Sequence, residues 1–276
     1  LGCNAAGVVG CRIINSPRER SIAIVTNSLT PCNGRLPLLI TLSALFFVGS
    51  AAPGAVLKAL FLAGLLALSL GMTLGASFLL SKTVLRGMPS AFALELPPYR
   101  IPRVGQVLAR SVLDRTLHVL GRATAVAAPA GVLIWCLGNV AVSGQNLLGW
   151  CAGFLDPLAR PFGLDGAILL AFLLALPANE LVLPLLLMIY LSQGALTQAG
   201  DLGALHGLLL ENGWTWMTAL CVMVFSMFHW PCSTTCWTIW KETRSLKWTG
   251  VSFLLPTALG LALCYLLAAL GRALGV

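Results

Sequence analysis

The residues best suited to chemistry lie in Phe228-His229-Trp230-Pro231-Cys232-Ser233-Thr234-Thr235-Cys236, late in a long apolar run. An imidazole, two thiols and three hydroxyls stand close together there. Such groups suit a borderline divalent cation, for which geometry rather than raw affinity provides selectivity. His229, Cys232 and Cys236 are spaced i, i+3 and i+7, which would put them on one face of a regular helix. Pro231 interrupts that regularity, because it has no N–H to donate and clashes with the preceding turn. A break at bilayer depth also frees carbonyls, and it is tolerated only where protein or a wet cavity receives them.

A similar cluster opens the chain. Arg12 follows Cys3-Asn4-Ala5 nine positions after the cysteine, and Lys241 follows Cys232-Ser233-Thr234 at the same interval. Matched broken segments in two halves are a sequence pointer to a transporter's binding site. A third non-helical patch, Thr30-Pro31-Cys32-Asn33-Gly34-Arg35-Leu36-Pro37, adds another thiol and a guanidinium. Arg35 is expected to pair with freed carbonyls, since a lone guanidinium in lipid is expensive. Glu180, between Pro177 and Pro184, is the only carboxylate well inside an apolar run. A charge there costs about 2.5–3.5 kcal/mol on insertion scales, so Glu180 should face a cavity or a partner. It reads either as an ion ligand or relay, or as a carboxyl bonded to Asn179. Buried cysteines can also pack as small hydrophobes. That is the expectation for Cys11, Cys136, Cys151, Cys221 and Cys264. Cys3 and Cys232 read as ligands, and Cys236 and His229 stay open between the two roles.

The composition demands a membrane setting for these groups. Of 276 residues 58% are hydrophobic and 9% charged, where a soluble domain carries about 25% charged residues. Mean hydropathy is +0.90. The net charge of +8 sits in short connecting segments, which suits orientation by the positive-inside rule and excludes nucleic acid as a partner. Nine cysteines, mostly in apolar segments, do not suggest a disulfide framework. The chain starts at Leu1 in mid-motif and reads as a piece of something longer.

In order, residues 1–14 read as the tail of a broken helix and residues 17–20 as a basic turn. Residues 21–50 are an interrupted apolar segment and 55–80 a span. Residues 82–122 are polar and basic, with an amphipathic helix from Val104. Residues 123–142 span again, and 143–165 and 192–213 read as loops, the second carrying His206. His118 and His206 are read as interfacial or loop residues. Residues 214–240 hold the opening motif and 248–270 the last span, with Trp214, Trp216, Trp240 and Trp248 as interface anchors. If residues 166–190 crossed the bilayer, the basic turn 241–247 would fall opposite Arg100–Arg122. If they form a re-entrant hairpin, every basic cluster lies inside, and the positive-inside rule favours that arrangement.

The motifs GCNAAGVVGCR, SPRER, PCNGRLP, ELPPYRIP, LDPLARPFGLDG, PANE, WPCSTT and KETRSLKW, in this order, resemble the membrane half of the ferrous-iron transport protein B family. The resemblance implies an all-α polytopic membrane protein with two Gate-type repeats containing broken or re-entrant helices. Residues 1–81 would be the first Gate region and following span, 82–122 a cytoplasmic basic segment, and 123–276 the second Gate region with flanking spans. It makes Cys3 and Cys232 the Gate cysteines and Cys32 the cysteine before Arg35-Leu36-Pro37. With the residue reading, it gives an Fe²⁺ contact set of Cys3, Asn4, Cys32, Glu180, His229, Cys232, Ser233 and Cys236, with no catalytic residues. The implied partners are membrane lipids, a cytosolic G domain using GTP and Mg²⁺ on the same or a separate chain, and a small FeoA-like protein. A homo-oligomer is left open, and the implied location is the bacterial cytoplasmic (inner) membrane. No GxxxxGK[ST] phosphate loop occurs in this chain, so nucleotide hydrolysis is not assigned to it. The competing readings are a Gate-type permease for nucleosides or another solute, and a metal-binding membrane sensor or scaffold.

Overall fold

The computed structural model describes residues 2–47, 52–83, 85, 105–106, 117–142, 145–192 and 202–274. Most of segment 82–122, including the amphipathic helix read from Val104, lies outside them. The described residues form an all-α fold with one two-residue antiparallel pair, Ala141–Val142 with Gln145–Asn146. The helices are α1 (Asn4–Gly10), α2 (Pro17–Thr26), α3 (Leu36–Phe46), α4 (Ala52–Lys82), α5 (Leu117–Asn139) and α6 (Leu147–Ala159). They continue with α7 (Gly166–Leu174), α8 (Val182–Tyr190), α9 (Leu202–Glu211), α10 (Trp216–Phe228), α11 (Ser233–Thr243) and α12 (Leu246–Leu274).

Among the described residues, three segments are long and apolar enough to cross a membrane: Val56–Lys82, Trp216–Thr243 and Leu246–Leu274. The second is the broken pair α10–α11. The outward faces of α4 and α12, with Leu60, Leu70, Leu74, Phe78, Leu254, Leu266 and Leu270, are apolar and exposed, as lipid-facing helix surfaces must be. A second broken pair, α2–α3, runs antiparallel along the whole of α4. Arg18 donates to the carbonyls of Ser81 and Leu85 at one end, and Phe47 stacks on Phe61 at the other. The pair α10–α11 lies along α12 in the same way. Met217 packs at Gly271, Cys264 donates to the Cys221 carbonyl, and the Phe228 carbonyl packs at Gly260.

Residues 166–190 form a hairpin, as the positive-inside argument favours. The Tyr190 hydroxyl, at the end of α8, donates to the Asp165 carboxylate, which caps the start of α7. The same hydroxyl accepts from Trp214 Nε1 at 2.7 Å, so the hairpin mouth is level with the start of α10. Burial pushes the Asp165 carboxyl above its ordinary range, against the Tyr190 and Ile168 donors that hold it down. At the tip, the Ser233 amide donates to the Leu176 carbonyl at 2.9 Å. The hairpin thus reaches to the end of the 13-residue α10, about 20 Å from its mouth and inside a hydrocarbon core of about 30 Å.

The basic turns at residues 12–20 and 241–247 gather on the face opposite the hairpin mouth, while Arg160 and Arg272 lie on the mouth side. Arg12 makes a two-pronged pair with Glu242 at 2.8 and 2.5 Å, joining the ends of α1 and α11. The guanidinium is exposed, so this pair contributes at most about 1 kcal/mol. Arg18 ties α2 to the end of α4 on the same face.

Three expectations are corrected. Residues 143–165 are not a loop: they hold α6, whose residues Leu148, Ala152 and Ala159 are buried and whose Asp156 pairs with Arg160 one turn on. A Cβ on Gly166 would collide with the Ala152 carbonyl, so α6 lies directly against α7. Residues 192–213 hold α9, where His206 meets the Phe46 ring edge-on, so His206 is helical and packed. Trp214 is buried and hydrogen-bonded to Tyr190 rather than anchored at an interface.

This arrangement makes two checkable statements. Tyr190→Phe leaves Trp214 and Asp165 short of a partner and should cost about 1–3 kcal/mol, read as a lower melting temperature in detergent. In intact cells, a cysteine at Ser192 should react with impermeant maleimide from outside and one at Ser245 should not. Outside labelling at Ser245 would reverse the topology.

Candidate functional site

The site forms where the two broken pairs and the hairpin tip meet. Pro31 and Pro231 each end the first half of a broken pair, and the chain runs extended through Cys32 (φ −84°, ψ 166°) and Cys232 (φ −61°, ψ 158°). Each cysteine then opens the second half of its pair: Cys32 precedes the 3-10 turn Asn33–Arg35 leading into α3, and Cys232 precedes α11. The interval from Cys3 and Cys232 to a basic residue paired those two thiols. The local structure instead makes Cys32 the counterpart of Cys232, each after a proline at a break. Cys3 opens α1, and its counterpart is Ala178 at the hairpin tip, before the 3-10 turn Asn179–Leu181. Two hydrogen bonds follow this correspondence. The Asn33 amide donates to the Gly2 carbonyl at 3.1 Å, as the Ser233 amide donates to Leu176.

Three cysteines therefore stand at starts of helical segments, where unpaired backbone N–H groups favour negative charge. None of the three accepts a side-chain cap bond from the segment it opens.

Arg35 fills the α10–α11 break, as its sequence position led one to expect. Its guanidinium donates to the carbonyls of Met227 at 2.6 Å, His229 at 3.1 Å and Trp230 at 3.2 Å. The side chain is 1% exposed and its Nε has no partner. Arg35 follows Cys32 by three residues, and the Trp230 carbonyl that it binds precedes Cys232 by two.

The helical face of His229, Cys232 and Cys236 does not form, because Pro231 turns His229 away. His229 is buried beside the rings of Phe172, Phe225 and Trp230. Its Nδ1 meets the Ser226 carbonyl at 2.8 Å and its Nε2 faces Asn179 Oδ1 at 3.4 Å. Asn179 in turn donates to Cys32 Sγ at 3.5 Å, so it links the hairpin tip to both breaks. Cys232 Sγ lies 3.2 Å from Thr235 Oγ1, and Cys236 Sγ donates to the Pro231 carbonyl. Ser233 Oγ is buried without a partner. Asn4 is buried, donates to the Thr30 carbonyl at 3.1 Å and accepts from Asn27. Among the described residues, no three of His, Cys, Asp and Glu come together as a metal cluster.

Glu180 is exposed into a cavity of about 290 Å³, walled by Gly34, Pro37, Thr41, Asn179 and residues of α8 and α9. Gly34 permits this, since a Cβ there would stand 3.0 Å from Glu180 Cγ. On the other side of residues 31–35 lies a second cavity of about 570 Å³, reaching from Thr30 to Cys11, Glu19 and Ser81. Asn27, four residues before Pro31, also builds the site by donating to the Asn4 carbonyl, a role its sequence position did not announce.

Broken pairs running in opposite directions, interlocked at mid-depth with a re-entrant hairpin, define a polytopic membrane protein built on two inverted repeats. Comparison with known proteins agrees. A family model described as "Ferrous iron transport protein B C terminus" matches residues 62–114, and one described as "Nucleoside recognition" matches residues 120–246. The chain is 28% identical over 282 residues to the Fe(2+) transporter FeoB of Staphylococcus aureus (strain MSSA476), covering 99% of this chain and 40% of that protein. It is 27% identical to that of Synechocystis sp., over 93% of this chain and 40% of the relative. It is 28% identical to that of Methanocaldococcus jannaschii, over 90% of this chain and 36% of the relative. The chain is similar to these proteins over nearly its whole length and spans about two-fifths of theirs. No solved structure gives a significant match.

Arg35→Met would leave three carbonyls at the break without their donor, and should lower stability by about 3 kcal/mol or more. Arg35→Lys keeps the charge without the planar fork and should fall between the two. Thermal unfolding of the purified proteins ranks them.

Proposed function

We propose that this chain is the permease core of an Fe²⁺ transporter and that the ion crosses between the two breaks. The observation that carries the reading is the placing of three thiols at helix starts around one mid-depth junction, with a cavity on either side. A permeating ion needs groups that replace part of its hydration yet release it. Thiolates, amide oxygens and hydroxyls offer that to borderline Fe²⁺ better than a closed cage would. The relatives' names support the same cargo.

In this reading Glu180 attracts the ion into the cavity on the hairpin side, Cys32 and Cys232 receive it between the breaks, and Cys3, Asn4, Ser233 and Cys236 flank the passage. His229 acts by holding the hairpin tip. Residues 1–81 and 123–276 act as the two Gate regions, with residues 82–122 on the cytoplasmic side of a bacterial inner membrane. Chemistry on GTP and Mg²⁺ belongs to a cytosolic G domain, with a small FeoA-like protein as a further partner. A nucleoside cargo is the second reading, raised by the description of the second family model. The residues walling the Glu180 cavity include no aromatic ring for a base to stack on, which favours the ion.

Uptake of ⁵⁵Fe²⁺ into proteoliposomes of the full-length protein, with Mn²⁺ and uridine as competitors, tests the cargo. Uridine uptake with no iron uptake would overturn it. Glu180→Gln keeps the size of the side chain and should lower iron uptake severalfold. Cys232→Ser and Cys32→Ser should each lower it without loss of assembly. Cys264→Ser, remote from the breaks and bonded to the Cys221 carbonyl, should transport like the parent. Parental uptake by both Cys32→Ser and Cys232→Ser would remove sulfur from the pathway.

A further inference from the structure

Helix α4 carries Ser69, Thr73, Ser77 and Ser81 at four-residue intervals, a polar stripe on a helix that is apolar between Lys58 and Lys82 except for these four. The stripe faces the first broken pair. Ser69 Oγ donates to the Leu29 carbonyl at 2.8 Å, Thr73 Oγ1 lies 3.5 Å from Thr30 Oγ1, and Ser77 Oγ meets Thr26 Oγ1 at 3.1 Å. Between α2 and α4 lies the cavity of about 570 Å³, which runs from Thr30 at the break to Ser81, Glu19 and Cys11 at the basic face.

The hydroxyl hydrogens along this cavity are engaged within the protein. Thr26 donates to the Ile22 carbonyl, Thr73 to Ser69, Ser77 to Thr73 and Ser81 to Phe78. What these hydroxyls present to the cavity is therefore lone pairs. Water bound to a cation turns its hydrogens outward, so a wall rich in acceptors favours a partly hydrated cation over an anion. At the far end Arg18 is turned onto the Ser81 and Leu85 carbonyls, while Glu19 lines the opening.

We infer that the cleft between α2 and α4 is the half of the ion path lying between the double break and the basic face, carrying a divalent cation with part of its water shell along Thr73, Ser77 and Ser81. The inference rests on the permease reading and adds to it the route on one side of the breaks. A dry alternative exists, because hydroxyls bonded back to their own helix are also tolerated in lipid.

The test uses the full-length protein in inverted vesicles, with Ser77→Cys, Ser81→Cys and, on the lipid face of α4, Leu74→Cys. Impermeant maleimide is applied and modification at each position is read by mass spectrometry. Ser77→Cys and Ser81→Cys should react at least about tenfold faster than Leu74→Cys, since only a hydrated thiol ionises readily. Fe²⁺ kept reduced with ascorbate should slow them. If Ser77→Cys and Ser81→Cys react no faster than Leu74→Cys, the cleft is dry and the inference falls, whatever the protein transports. Thr73→Val preserves shape but removes the lone pairs, and should lower ⁵⁵Fe²⁺ uptake by about threefold or more with an unchanged melting temperature. Parental uptake by both Thr73→Val and Ser77→Ala would also overturn it. Rapid labelling in a parent that moves no iron would instead overturn the permease reading, and the cargo assigned to the cleft with it.

Discussion

The arrangement depends on one contact, the Arg35 guanidinium seated in the break between α10 and α11. Pro231 stops a helix in a region where water cannot receive the freed carbonyls, and Arg35 supplies the donors from the other half of the chain. A planar fork suits this role because several carbonyls diverging from a helix end need donors fixed at an angle. The contact also sets the electrostatics of the site. A buried positive charge beside Cys32 and Cys232 opposes a second cation unless negative charge is close at hand.

The inverted relation of the halves explains why neither break stands alone. α2–α3 runs from the basic face to the hairpin mouth, and α10–α11 runs the opposite way, so their breaks meet at one depth. The partner of each break is a shorter element that enters from one face only: α1 reaches the basic face, and the hairpin opens on the other. Asn4 and Asn179 stand at the inner ends of these elements, each bonded to a break. The firm hydrogen bonds of the hairpin lie at its mouth, among Asp165, Tyr190 and Trp214, and the longer ones at its tip.

Much of this was legible in the sequence. Prolines inside apolar runs located both breaks, charge clustering favoured the hairpin, and the cost of a guanidinium in lipid led to the role of Arg35. The failures have physical causes. Asp156, Arg160 and Asp165 made residues 143–165 look like a loop, yet Asp156 and Arg160 are one helical turn apart and pair. Residues 192–213 looked mixed because α9 is short and buries Leu205 and Leu209 rather than a long face. Spacing to a basic residue paired the wrong thiols, since Arg12 and Lys241 reflect the depth of a helix end and not the position of a break. The Ser–Thr stripe of α4 was passed over because each hydroxyl, taken singly, is unremarkable in a membrane helix. Its four-residue period carries the information.

The Arg35 contact also orders the birth of the protein. The carbonyls that receive the guanidinium lie 192 to 195 residues further along the chain. At about 5–20 residues per second of synthesis, Arg35 waits roughly 10 to 40 seconds before its acceptors exist. Until then its long side chain has to lie toward an interface, where water or headgroups can solvate it. The guanidinium moves inward only once α10 has been inserted, so the centre of the molecule closes late. A ribosome that stalls before residue 227 leaves a membrane fragment whose Arg35 lacks the carbonyls that bury it.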